Sequence, residues 1–78
     1  MDPITLKRQQ RIILAFLRDY PAGQTRLQIA RGVGIERATI CRRVAELRDK
    51  NLVFVHHKAL DPLTNTRAEF LTTNTPQI

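Results

Sequence analysis

Apolar positions along this chain fall into three stretches with helical spacing, followed by two with extended character. Leu6, Ile12, Ile13, Phe16, Leu17 and Tyr20 recur at helical intervals, with Lys7, Arg8, Arg11 and Arg18 on the polar side. They predict a first helix that starts at Asp2-Pro3, or at Thr5 as an alternative cap, and ends at Pro21-Ala22-Gly23. A second helix over 25–32 opens on Thr25, whose hydroxyl and Gln28 three residues later match a capping box. Gly32 and Gly34 are its expected breakers, and Gly34 is the better candidate for a left-handed turn residue. Ala30 is small enough to let the neighbouring helix approach closely. A third helix over 36–50 turns Ile40, Val44 and Leu47 inward, with Ile35 stapling its start and Asn51 stopping it.

After residue 51 the period changes. Residues 52–57 are rich in β-branched and aromatic side chains and predict a strand. Asp61 can make an Asx turn, Pro62 presets φ, and Asn65 tolerates the left-handed region, so 60–66 predicts a turn. Residues 67–72 predict the returning strand. The fold class is therefore α+β, mainly α: three helices, then a β-hairpin. Seventy-eight residues make one domain, 1–78, with an ordered core over about 5–73 and a flexible tail over 74–78.

Charge adds a surface to this outline. Thirteen Lys and Arg stand against seven Asp and Glu, a formal net of +6. Ten of the thirteen are Arg, whose planar fork suits bidentate contact with phosphate or guanine. Arg26, Arg31, Arg37, Arg42 and Arg43 crowd residues 26–43 against Glu36 alone. With Ile40, Val44 and Leu47 inward, the ~100° step puts Ala38, Arg42, Ala45 and Asp49 on the outward face of the third helix. Thr39, Cys41 and Glu46 flank that face.

The capped helix, glycine turn, Ile35 and Thr39-Ile40 together resemble the helix-turn-helix of the winged-helix DNA-binding superfamily, the group that includes ArsR-like and MarR-like regulators. They also resemble small winged-helix proteins of phages and mobile elements. The resemblance spans roughly 5–73 and implies that the hairpin is the wing. It also implies that a short extended piece at Gln24 can pair with that hairpin. Where the superfamily has Ser, Thr or Asp at the recognition-helix cap, this chain has Glu36, a poorer cap whose charge still suits a helix N-terminus.

The implied function is sequence-specific binding of double-stranded DNA by a transcriptional regulator, with 36–50 in the major groove and 58–67 on the backbone or minor groove. Arg42 is placed to reach a guanine edge, Thr39 a base edge or phosphate, and Arg37 and Arg43 the backbone, with Ala38 small at the closest approach. Thr25 and Arg26 offer a helix N-terminus to phosphate. Lys58 and Arg67 are the wing's candidates. Glu46 and Asp49 restrict groove entry to the helix's first half. Two other readings stay open. One is an inhibitor or adaptor module that docks on a protein; the other is a phage or plasmid replication or recombination accessory protein. Unusual nucleic acid ranks lower, because the outward positions of the third helix hold no Asn or Tyr. A homodimer is compatible with the pattern.

Other chemistries find little support. His56-His57 should point to opposite faces of a strand, which disfavours chelation, and no acidic or Cys cluster stands at ligand spacing. No metal and no cofactor is expected. The lone Cys41 precludes an internal disulfide and fits a reducing cytoplasm, the expected location. Nucleophile–base arrangements and phosphate-loop glycines are absent from the sequence, so an enzyme is not expected. No apolar run is long enough to span a membrane.

Overall fold

The structure is a computed structural model that describes residues 6–74. Its elements are α1 (Arg8–Arg18), α2 (Arg26–Val33), α3 (Arg37–Asp49), β1 (Phe54–Leu60) and β2 (Arg67–Thr72). The two strands pair antiparallel. The core joins Ile13, Leu14 and Leu17 of α1, Ile29 and Ala30 of α2, Ile40, Val44 and Leu47 of α3, Val53 just before β1 and Leu71 of β2, with the partly buried Val55 of β1 packed against it. Residues 75–78 of the expected 74–78 tail and the start signals Asp2-Pro3 and Thr5 lie outside the described residues.

Helix α1 begins later than either expected cap. Its N-cap is Lys7, whose backbone N–H donates to Gln10 Oε1 at 2.8 Å. Gln10 is 1% exposed, and its Nε2 donates to Glu46 Oε1 of α3 at 2.7 Å. One amide thus closes the start of α1 and ties it to α3. The apolar stripe is also rotated relative to expectation. Leu14 enters the core, whereas Tyr20 lies past the helix end, 43% exposed, with its ring on Phe16 at 4.8 Å.

The α2–α3 turn follows the local chemistry. Thr25 Oγ accepts from Gln28 N–H at 3.1 Å, and Thr25 N–H donates to Gln28 Oε1 at 2.9 Å. Gly34 takes φ 70°, and its N–H returns to Ala30 O. Gly32 does not break the helix as expected. It lies inside α2, where an added Cβ would stand 2.3 Å from Phe16 Cε1. Its role is close approach, since the Phe16 ring occupies the space a side chain would need. Helix α3 ends in a Schellman motif: Asn51 takes φ 58°, Asn51 N–H donates to Arg48 O and Leu52 N–H to Leu47 O.

Strand β2 spans the expected residues, but β1 is displaced toward the turn. Leu52 and Val53 pack on the core before pairing starts, and the ladder then continues through the exposed Leu60. Burial marks the first segment in sequence; the exposed second half is a strand only because β2 pairs with it. The expected link at Gln24 forms: Gln24 N–H donates to Leu71 O at 3.0 Å and Leu71 N–H to Gln24 O at 2.8 Å. Gly23 makes this crossing possible, with φ 100° and a virtual Cβ only 3.0 Å from Phe70 Cβ.

The ladder also overturns the expected alternation at 56–57. A register shift between Val55 and His57 makes a β-bulge. The two imidazoles are therefore neighbours, with Nδ1 to Nδ1 2.7 Å, and the His57 ring stacks on Phe70 at 4.5 Å. One ring donates and the other accepts. Among the described residues, no third His, Cys, Asp or Glu joins them to make a group that could hold a metal ion.

Candidate nucleic-acid interface

Helix α3 presents two faces with different chemistry. Ile40, Val44 and Leu47 are fully buried, whereas Ala38, Arg42, Ala45 and Asp49 are exposed. Arg37 stands exposed at the first position of the helix. Arg42 Nη2 makes a long contact of 3.4 Å to Thr39 Oγ1 one turn earlier, so both lie on the accessible side. Glu36 caps α3 without a side-chain hydrogen bond, as its poor capping geometry implies.

Two carboxylates sort the arginines. Glu46 receives Arg43 Nη1 at 3.1 Å, Gln10 at 2.7 Å and Lys7 Nζ at 3.8 Å. The Arg43 side chain is only 16% exposed. It is turned toward the α1–α3 seam, away from the backbone-contact position expected for it. Glu69 of β2 receives Arg26 Nη1 at 3.0 Å and Arg48 Nη1 at 3.7 Å. Among the described residues, no carboxylate lies within ion-pair distance of Arg37, Arg42, Lys58 or Arg67.

Thr25 is likewise committed. It is 1% exposed, and its hydroxyl donates to Asp61 Oδ2 at 2.6 Å. Asp61 itself is 2% exposed, buried beneath the hairpin turn. It does form the expected Asx turn, with Leu63 N–H donating to Oδ1 at 2.8 Å. Arg67 and Lys58 are exposed on the hairpin, with Lys58 opposite Glu69. A cleft of about 270 Å³ runs between the start of α2, the first turn of α3 and the hairpin. Arg26, Arg37 and Arg67 line it, together with Thr64 and Thr66.

The structure therefore brings Arg37, Ala38, Arg42 and Arg67 to accessible positions, leaves Thr39 half-buried, and commits Thr25, Arg26 and Arg43 to internal contacts. Sequence reasoning missed Asp61, Glu69 and Gln10 as organisers. Each acts on a partner at least 36 residues away, so no local spacing marks it.

Three helices, the antiparallel hairpin and the Gln24 bridge define a winged helix-turn-helix. Solved structures share it. The PcaV transcriptional regulator of Streptomyces coelicolor, solved with its natural ligand, matches with a TM-score of 0.67 and 26% identity over 88% of this chain. Two mutants of S. aureus MepR match with TM-scores of 0.69 and 0.63, at 20% and 24% identity, each over 90% of this chain. The architecture is that of MarR-like winged-helix regulators. The chain spans about half the length of these proteins, 45% of PcaV and 49% of each MepR mutant. No family model and no curated protein matches the sequence.

Proposed function

We propose that this chain is a cytoplasmic, sequence-specific double-stranded DNA-binding module of a transcriptional regulator. Helix α3 enters the major groove with Ala38, Thr39 and Arg42 toward the bases. Arg37 meets the backbone at the helix start. The wing, through Arg67 and Lys58, meets the backbone or minor groove. The cleft between them seats a phosphate. The observation that carries this reading is the presence of Arg37 of α3 and Arg67 of the hairpin, neither held by a carboxylate among the described residues, in the lining of one cleft. Beside it lies a helix face kept open by Ala38 and Ala45. Arg43 drops out of the contact set because Glu46 holds it. Arg26 contributes field at the cleft wall more than a free fork, because Glu69 holds it.

Titration of salt against affinity for a random and a genomic duplex pool tests the proposal. About four phosphate contacts per chain give a log–log slope near −3.6, and a preferred site should stand out above the pool. A footprint of two half-sites about one helical turn apart indicates a homodimer; one half-site indicates a monomer. One set of residues favours a protein partner instead: Leu60 and Leu63 of the hairpin are 58% and 43% exposed, and Glu36 and Asp49 are exposed on α3. Absence of duplex affinity at low salt would select that reading.

A further inference from the structure

The wing and the start of α2 form one hydrogen-bonded unit, centred on a carboxylate that local structure does not fully explain. Asp61 opens the hairpin turn, a place where charged side chains normally meet solvent, yet it is 2% exposed. Its two oxygens work in different directions. Oδ1 accepts Leu63 N–H within the turn, and Oδ2 accepts the hydroxyl of Thr25, 36 residues earlier. The turn is closed further by the Asp61 backbone, whose N–H donates to Thr66 O at 2.8 Å and whose carbonyl accepts Asn65 N–H at 2.7 Å. Thr25 is used on both sides as well, since its oxygen already accepts Gln28 N–H. The Asx turn needs only Oδ1, and the helix cap needs only the hydroxyl oxygen. The Thr25–Asp61 bond serves neither. What it fixes is where the hairpin turn stands relative to α2.

We propose that Asp61 is a positioning residue for DNA binding: bonded to Thr25, its carboxylate holds the hairpin that carries Arg67 at the cleft Arg37 also lines, and sets the spacing at which wing and α3 meet a duplex. The inference rests on the DNA-binding reading above. A two-stranded hairpin is marginal by itself, and a wing that must be ordered on contact loses affinity to that ordering. The tie orders it beforehand. A second tie, Arg26 and Arg48 on Glu69, acts farther down β2, so the tip depends chiefly on Asp61. The alternative, that Asp61 matters only as one more negative charge near phosphate, makes the opposite forecast. Removing a buried acid should then tighten binding.

The experiment is a pair of double-mutant cycles with the full chain and a random-sequence 24-bp duplex at low salt, after melts establish that each variant is folded. In the unaltered chain Arg67→Ala should weaken binding about fivefold to tenfold. In an Asp61→Ala background the same change should cost less than about twofold, while Arg42→Ala keeps its full cost. Asp61→Asn should restore the Arg67 effect. Its amide oxygen can serve the Asx turn and its NH₂ can donate to Thr25 Oγ. Thr25→Gly approaches the tie from the other end, because glycine is a serviceable N-cap without a hydroxyl; it should also shrink the Arg67 effect. An Arg67 cost that is the same in Asp61→Ala as in the unaltered chain would overturn the proposal. Tighter binding by both Asp61→Ala and Asp61→Asn would do the same and would assign Asp61 to plain charge. If the unaltered chain does not bind duplex DNA at all, the DNA-binding reading fails first; additive cycles in a chain that does bind overturn only the positioning role.

Discussion

Arg42 and Arg43 are adjacent in sequence and end in different physical states. Arg42 projects from the exposed face of α3, with only a long contact to Thr39. Arg43 is mostly buried at the seam with α1, its fork on Glu46. The same division separates Arg67, exposed on the wing, from Arg26, paired with Glu69. A helix turns ~100° per residue, so neighbours in a basic run need not share an environment. The carboxylates then decide. One set of arginines holds the domain together, and the other is left for a ligand.

The largest effect should come from breaking the buried set. Glu46→Ala leaves Gln10 without its acceptor and a largely buried Arg43 without its counter-charge. It should cost ~2–3 kcal/mol in urea unfolding. The surviving folded fraction should keep its sequence preference on DNA. Next comes the exposed set. Arg42→Ala should leave the melting curve unchanged but cost ~1–3 kcal/mol of binding and relax selection at one base position, as read by selection from a randomised duplex library. Gly34→Ala perturbs the turn that separates the two helices. Its φ of 70° disfavours a side chain although nothing crowds it, so calorimetry should register a loss near 1 kcal/mol. The smallest effect is expected from Arg26→Ala. A pair with Glu69 whose side chains are about a quarter exposed is worth about 0.5–1 kcal/mol in stability, and the change should weaken all duplexes alike by less than Arg67→Ala does.

Local chemistry made much of the fold legible. The Thr25–Gln28 box, Gly34, Asn51 and Asn65 each act within a few residues, and their conformations follow from residue type. Strand β2 and the inward face of α3 were readable from periodicity. Gly32 was misread because a glycine inside a helix looks like a breaker until the Phe16 ring is seen beside it. The extent of β1 and the bulge at His56 depend on pairing with β2 and leave no mark in the alternation of 52–57. The candidate site was only half legible. Five arginines over 26–43 suggested one basic surface, yet Glu46 and Glu69 remove two of them, Arg43 and Arg26, through contacts that sequence spacing does not show. Asp61 was legible as the Asx-turn residue, but its bond to Thr25 spans 36 residues and leaves no mark in local spacing.

The most direct test is the salt slope of duplex binding for the unaltered chain, Arg67→Ala and Arg43→Ala. Loss of one phosphate contact changes the slope by about 0.9. Arg67→Ala should flatten it by about that amount, and Arg43→Ala, measured where it is fully folded, should leave it unchanged. Equal flattening by both substitutions would contradict the division between bound and free arginines, and no salt-dependent duplex binding at all would contradict the function built on it.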